Sequence, residues 1–139
     1  KEAIAQYIHE KALDKHIKLA GFRSEIASLL PEFDLFLFTS KTEGLGSSIL
    51  DAYACEVPVV TTNAGGIPEI VKHNVTGLLA SPGDAQALAA ECLRVISDKE
   101  LRNLLVKNAS ELVLGFSKEV MGNSTFLVYS ELEKSLKES

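Results

Sequence analysis

The chain has 139 residues, of which 46% are hydrophobic and 24% are charged, values that are ordinary for a globular protein. Its length suffices for one domain with a hydrophobic core, and its formal net charge of −5 gives nucleic-acid binding no electrostatic basis. No apolar run approaches the roughly 18–20 residues needed to cross a bilayer. The opening residues are too polar for a signal peptide, so we expect a cytoplasmic location. Because the chain has no initiator Met and opens within a helical pattern, we also expect it to be part of a longer protein.

Short β-rich runs alternate with helical patterns in the first part of the chain. The expected strands lie at 16–22, 34–39, 57–62 and 76–80. The expected helices between them lie at 24–30, 46–55 and 67–72. Ser24 can cap the first of these helices, and Pro31 can stop it. This alternation predicts an α/β fold in which helices cover both faces of a parallel sheet. The nearly continuous apolar character of 34–39 and 57–62 suits strands that are buried on both faces.

The last part of the chain, residues 84–137, carries only helical patterns. Asp84 is the expected N-cap of its first helix, and Ser97 forms a capping-box pattern with Glu100 at the start of the second. Ser117 can begin the last helix, whose apolar face we expect to pack in the core or, in a longer protein, against another domain. The three predicted apolar faces are Leu88, Ala89, Cys92, Val95 and Ile96; Leu101, Leu104, Leu105, Ala109 and Leu112; and Val120, Leu127, Val128, Leu132 and Leu136.

The loop SKTEGLGSS, residues 40–48, follows the second expected strand and leads into a helix. In parallel sheets, ligands bind beyond the carboxyl ends of the strands, which is where this loop falls. Gly44 and Gly46 permit positive φ angles and let a ligand approach the backbone closely. The helix that begins near Gly46 directs unpaired N–H groups at the same space, an arrangement that suits a phosphate. Ser47 could add a hydroxyl donor.

Two acids beside this turn could bind a sugar ligand. Ser47 and Asp51 are four residues apart, so they share the helix face opposite to the one that packs on the sheet. A carboxylate there could accept two hydrogen bonds from a vicinal diol such as a ribose. Glu43 in the loop could bind a sugar or offset positive charge in a transition state. Both acids could equally be solvated surface residues, and local chemistry leaves these two interpretations open. A dinucleotide fingerprint and a P-loop are excluded, because Ile49 replaces the third glycine and no Gly-Lys-Ser/Thr ends the loop.

A longer set of ordered motifs carries a more specific signal. The motifs are Ser40 to Gly46, Pro58-Val59-Val60, Gly65-Gly66-Ile67-Pro68-Glu69 and Gly77-Leu78-Leu79. Their order and spacing resemble the C-terminal, donor-binding domain of retaining glycosyltransferases with the GT-B fold, of the family 4 type. The resemblance runs from about Ile17 to Ser117. It implies a Rossmann-like, three-layer α/β/α fold with a parallel sheet, residues 1–139 being a single but partial C-terminal domain.

The resemblance also implies an activity. Such enzymes of glycan biosynthesis transfer a sugar from a nucleotide-diphosphate sugar to a hydroxyl acceptor with retention, without a metal or other cofactor. Glu43 would be the catalytic residue near the anomeric centre, as electrostatic and positional support, and Asp51 would hold the ribose. The donor would also meet Ser47 and the backbone amides of Gly44, Leu45 and Gly46. Phe22 and Arg23 would lie near the base.

The chain departs from the family pattern at two positions. Asp51 stands where the family usually has Glu, and Glu56 replaces a usual Gly between helix and strand. If position 56 needs a left-handed backbone, Glu costs about 1–2 kcal/mol there. Two alternatives therefore remain: a sugar-nucleotide-binding module without turnover, and a GT-B sugar-nucleotide epimerase.

Parts of the family's site lie outside this sequence. In the family, an Arg and a Lys that hold the diphosphate come from segments that would precede residue 1, and the acceptor is bound mainly by an N-terminal domain. We therefore expect residues 1–139 alone to be inactive. The resemblance leaves a peripheral membrane association of the whole protein open.

Overall fold

A computed structural model describes residues 2–137 of the chain. The helices are α1 (Glu2–Glu10), α2 (Ile26–Leu29), α3 (Ser47–Ala54), α4 (Ile67–Ile70), α5 (Ala85–Ser97), α6 (Lys99–Val113) and α7 (Lys118–Lys137). The strands are β1 (Phe36–Phe38), β2 (Val59–Thr62) and β3 (Leu78–Ala80). Two 3₁₀ turns span Leu30–Glu32 and Leu114–Phe116. No helix within residues 2–137 has the length and apolar character to cross a membrane.

The three strands form a parallel sheet in the order β1-β2-β3. Val60 is the register partner of Leu37 on one side and of Leu78 on the other. All four residues of β2 are buried, because successive side chains point into different cores. Val59 belongs to a cluster with α3, α4 and α6, whereas Val60 belongs to a cluster with α5 and α6. Helices therefore cover both faces of the sheet, which confirms the predicted α/β/α layering.

The predicted strand at 16–22 is wrong. Residues 11–25 contain turns and irregular backbone. Within the described part of the chain no strand pairs with the outer edge of β1, so β-rich residues near that edge gain no ladder hydrogen bonds. Ile17 and Leu19 are exposed by 43% and 44% as a result.

Helix starts agree with the predictions only in part. The helices at 46–55 and 67–72 are confirmed as α3 and α4, and Asp84 caps α5 by accepting a hydrogen bond from the Ala87 N–H at 2.9 Å. Ser24, in contrast, donates to the Glu25 carboxylate, and α2 begins after Glu25 without a side-chain cap. Pro31 lies inside the following 3₁₀ turn rather than before a break, since proline is tolerated in a first helical turn.

The predicted capping box at Ser97 is also wrong. Ser97 is still the last residue of α5, and its hydroxyl donates to the Leu93 carbonyl at 2.7 Å. Asp98, the single residue between α5 and α6, has the extended backbone that an N-cap needs. Its Oδ1 accepts the Leu101 N–H at 2.9 Å.

The apolar faces of the C-terminal helices are buried unevenly. Leu88, Val95, Leu105 and Ala109 lie in the core, as predicted. Ala89 is exposed, and Ile96 and Leu104 are exposed by 55% and 49%, because α5 and α6 each contact the core along a narrower stripe than the sequence pattern indicates. The expectation that α7 packs in the core is wrong for the described chain, since α7 has no buried residue.

Candidate functional site

The loop at residues 39–46 connects the carboxyl end of β1 to the start of α3. Gly46 has the predicted left-handed backbone, with φ +82°. A Cβ at Gly46 would also lie 3.0 Å from Cδ1 of Ile49, a tight contact that a small shift of the Ile49 side chain can relieve, so the left-handed backbone is the main reason for glycine. Gly44 differs, since a Cβ at this position would meet nothing within 4 Å. The chain itself does not fill the space beside Gly44, and that space is open to a ligand.

Glu43 is half-buried, and its own loop holds its carboxylate. Oε1 accepts the Gly44 N–H at 3.0 Å, and Oε2 accepts the Ser40 hydroxyl at 3.4 Å. The predicted donor amides therefore differ in availability. The Gly44 N–H is engaged, whereas the N–H groups of residues 45–48 have no acceptor within the described chain. These four donors lie at the start of α3, where the helix dipole is positive.

The glycine pair 65–66 packs directly on the Glu43 loop. The Gly66 N–H donates to the Glu43 carbonyl at 3.2 Å. A Cβ at Gly65 would lie 1.8 Å from the Glu43 carbonyl oxygen, and one at Gly66 would lie 1.9 Å from the Gly44 carbonyl oxygen. The first two residues of the motif Gly65-Gly66-Ile67-Pro68-Glu69 therefore lie against the Glu43 loop. The two glycines permit the close approach of two loops that follow neighbouring strands.

Thr62 was not singled out by the sequence. It is the last residue of β2, it is buried, and its hydroxyl donates to the Ser40 carbonyl at 2.6 Å. The available signal was a pair of threonines, Thr61 and Thr62, at the end of a strand expected to be buried, because a buried hydroxyl needs a partner.

Asp51 lies on the outer side of α3. Ile49 and Tyr53 are fully buried, whereas Ser47 and Asp51 are exposed, as the helical spacing predicts. Asp51 also lines a hollow of about 350 Å³ between α2 and α3. The other lining residues are Ile26, Ala27, Leu30, Ala54 and Cys55. The hollow thus combines an apolar wall with one carboxylate.

Phe22 and Arg23 lie in the irregular segment that leads into α2. Phe22 is 94% exposed. Arg23 Nη1 donates to Glu25 Oε1 at 3.1 Å, so the one recorded ion pair of Arg23 stays within its own segment. The pKa of Glu25 is lowered, first by hydrogen bonding from its own backbone and further by Ser24 and Arg23. These contacts do not bring Phe22 or Arg23 to the 40–48 loop, although α2 forms one wall of the hollow that Asp51 lines.

Glu56 has the left-handed backbone that the departure from the family pattern predicted. Its φ is +58°, and it is the residue that turns the chain from α3 into β2. Glu56 lines a hollow with Asp34 and Arg102 near the amino ends of β1 and β2, whereas the 40–48 loop follows the carboxyl end of β1. The strain at Glu56 therefore lies away from the candidate site.

Two buried groups have a structural role. Burial raises the pKa of Tyr53 to about 12, and its hydroxyl donates to Thr76 Oγ1 at 3.2 Å. Thr76 also accepts the Lys72 N–H and donates to the Ile70 carbonyl, so this pair fixes the segment between α4 and β3.

Burial, with a smaller contribution from Glu91, raises the pKa of the Cys92 thiol, which disfavours the reactive thiolate.

Known proteins with the same pattern are numerous, and their similarity covers most of this chain. The family model described as "Glycosyl transferases group 1" matches residues 1–112. The N-acetyl-alpha-D-glucosaminyl L-malate synthase of Bacillus anthracis is 34% identical over 110 residues, which are 79% of this chain and 29% of that protein. An uncharacterised glycosyltransferase of Methanocaldococcus jannaschii is 35% identical over 119 residues, 84% of this chain and 34% of that protein.

Solved structures agree with this assignment. The crystal structure of Anabaena HepE in complex with UDP and glucose superposes with a TM-score of 0.85 at 31% identity, over 94% of this chain and 36% of that one. The C-terminal domain of a group 1 glycosyl transferase from Francisella tularensis superposes with a TM-score of 0.73 at 33% identity, over 81% of this chain and 60% of that one. The fold is that of GT-B C-terminal domains. The chain spans about a third of the length of the curated relatives that it matches. On its sequence and its fold, this chain belongs to the group 1 glycosyl transferases.

Proposed function

We propose that the protein to which this chain belongs transfers a sugar from a nucleoside-diphosphate sugar to a hydroxyl acceptor with retention. Residues 1–139 form the donor-binding unit. The observation that carries this proposal is the loop at the carboxyl end of β1, where four unpaired N–H groups at the start of α3 lie beside the held carboxylate of Glu43. The related Anabaena protein, whose structure contains UDP and glucose, supports the same class of donor.

The arrangement suits the charges that develop during sugar transfer. When the bond from the anomeric carbon to the diphosphate breaks, the sugar gains positive charge and the leaving diphosphate keeps the electron pair. N–H groups of Leu45, Gly46 and Ser47, with the positive end of α3, stabilise the diphosphate. The Glu43 carboxylate stabilises the positive sugar electrostatically and does not form a covalent bond to it. The engaged Gly44 amide joins the donor site only when Glu43 turns toward the sugar.

The nucleoside part of the donor fits the hollow between α2 and α3. Its apolar wall suits a base, and Asp51 at its rim offers two acceptor oxygens to the ribose diol. Asp is shorter than Glu by one methylene, about 1.5 Å on a carbon–carbon bond like that of the backbone, a gap that a bridging water can span. Phe22 and Arg23, in the segment that leads into α2, are assigned to the side of the hollow where the base would lie.

Further parts of the reaction are assigned to regions beyond this chain. The N-terminal part of the protein binds the acceptor and supplies the basic residues that hold the diphosphate. Residues 1–139 alone therefore do not transfer sugar. The reaction takes place in the cytoplasm and needs no metal. The whole protein can also associate with a membrane surface. Activity that persists in excess EDTA is the expected result, and loss of activity that Mg²⁺ restores would refute this point.

The first test is a titration of the ¹⁵N-labelled chain with UDP, GDP and ADP, followed by their sugar conjugates. We expect shifts at residues 43–51 and 22–23 for one base. Asp51→Asn should weaken this binding about tenfold, because a hydrogen bond to a charged group contributes about 1.5 kcal/mol or more. Asp34→Asn is the matched control, because Asp34 is an exposed acid that precedes the amino end of β1. Equal affinities for the two variants would refute the ribose assignment.

The second test uses the whole protein and separates transfer from its alternatives. Glu43→Gln should lower kcat about 10²–10³-fold, the range for removing one preorganised electrostatic group, whereas Glu111→Gln on α6 should not. Donor binding without transfer or donor hydrolysis would indicate a binding module. A changed sugar on the recovered nucleotide would indicate an epimerase.

A further inference from the structure

Strand β2 ends directly beside the loop that carries Glu43. The hydroxyl of Thr62 crosses from β2 to the Ser40 carbonyl at 2.6 Å, although the two residues are 22 positions apart in the sequence. The neighbouring Thr61 is equally buried but donates only to the carbonyl of Thr62, at 3.4 Å. Of the two β2 threonines, Thr62 alone ties the sheet to the loop through its side chain.

A second tie fixes the other end of the same loop segment. The Gly66 N–H donates to the Glu43 carbonyl at 3.2 Å, four residues after Thr62. Between the two ties, the Ser40 hydroxyl donates to Glu43 Oε2 at 3.4 Å. The segment from Ser40 to Glu43 is therefore held at both ends by residues 62–66, and the side chain of Ser40 bonds directly to the Glu43 carboxylate.

We propose that Thr62 is a positioning residue for sugar transfer, because its hydrogen bond to Ser40 fixes the direction in which Glu43 presents its carboxylate. This inference rests on the proposed role of Glu43. Without the Thr62 hydroxyl, the Ser40 carbonyl loses its partner and the start of the loop is held only by covalent connection to β1. A shift of about 1 Å in a reacting group can cost about a hundredfold in rate, so a loose loop is expected to lower turnover.

The structural part of the test needs no substrate. In the whole protein, we expect Thr62→Val to accelerate hydrogen exchange of the Gly44 amide, which donates to the Glu43 carboxylate, about tenfold. Thr61→Val, the matched control in the same strand, should leave this exchange within twofold of wild type. Thr62→Ser keeps the hydroxyl and should restore slow exchange. Equal exchange in the two valine variants would overturn the inference.

The functional part measures UDP release from UDP-glucose, and from GDP-glucose and ADP-glucose in parallel. Thr62→Val should lower kcat about tenfold or more with little change in the KM for the donor, because the nucleotide is held by other residues. Thr62→Ser should recover most of the loss. In a double-mutant cycle, Thr62→Val should add almost nothing to Glu43→Gln, since both act on the same carboxylate. A purely structural role of Thr62 would instead give additive losses.

The outcomes distinguish this inference from the proposed function. Faster exchange with unchanged kcat, or additive losses in the cycle, would refute the positioning role while transfer itself stands. A wild-type protein that turns over no nucleoside-diphosphate sugar, with conjugates of sugars other than glucose included, would refute the proposed function and, with it, the catalytic role of Thr62. The exchange comparison would still decide whether Thr62 holds the loop.

Discussion

Replacing Gly66 by alanine tests the contact between the two loops of the candidate site. The added Cβ would lie 1.9 Å from the Gly44 carbonyl oxygen, whereas Cβ atoms essentially never approach other atoms below 3.0 Å. One loop must therefore move by about 1 Å. Gly66 has φ −81°, so alanine brings no backbone strain and the cost is steric. Overpacking of this kind costs about 1–3 kcal/mol, and the loss of the Gly66–Glu43 hydrogen bond adds about 1 kcal/mol.

We expect Gly66→Ala to lower the free energy of unfolding by about 3 kcal/mol in urea denaturation, the middle of this combined range. Gly44→Ala is the matched control for stability, because it lies across the same contact and its Cβ would meet nothing within 4 Å. Since the φ of Gly44 is not left-handed, alanine there should be neutral or stabilising by up to about 1 kcal/mol. The packing argument would be refuted if the free energy of unfolding of Gly66→Ala lay within about 0.5 kcal/mol of the wild-type value, the usual error of such comparisons. An equal loss of free energy of unfolding in Gly44→Ala would also refute it.

Three further predictions follow from the described residues. Glu56→Gly should raise the free energy of unfolding by about 1 kcal/mol, because glycine relieves the strain of the left-handed backbone. Glu56→Ala keeps that strain and should not raise it. Equal urea midpoints for the two variants would contradict this prediction. Burial raises the pKa of Tyr53 to about 12, so the phenol loses its proton at a lower pH in the unfolded chain than in the folded one. The free energy of unfolding should therefore fall between pH 10 and 12. The slope is at most about 1.4 kcal/mol per pH unit; Tyr53→Phe should remove it and Tyr7→Phe should keep it. The apolar side chains of α7 are exposed by 44–77%, so the 139-residue chain should self-associate, and Leu127→Lys should weaken this association in sedimentation experiments. A wild-type chain that sediments as a monomer at every concentration would contradict the last prediction.

Features that depend on a few neighbouring residues were predictable from the sequence. The start of α3 after Gly46, the Asp84 cap of α5 and the left-handed turn at Glu56 each follow from local backbone chemistry. The predictions failed where two local signals competed. Ser97 and Asp98 both have side chains that favour an N-cap, and Asp98, which has the extended backbone, is the residue that caps α6.

Burial was less predictable than local structure. An apolar pattern indicates that a segment tends to be buried, but it does not show which other element packs against it. Residues 16–22 and α7 have the patterns of a strand and of an amphipathic helix, yet neither is buried within the described chain. Leu104 has the same chemistry as Leu105 and differs only in the side of α6 that meets the sheet.

The sequence by itself singled out Glu43, Gly46 and Asp51 as candidate site residues, since they stand in one short stretch with a definite spacing. Only the tertiary structure decided what holds them. Thr62 and Gly66 lie 22 and 23 residues from the atoms that they bind, and they reach them because β1 and β2 pair in parallel with Phe38 opposite Thr61. Parallel pairing places the carboxyl ends of both strands at the same edge, so the two loops that follow must meet there.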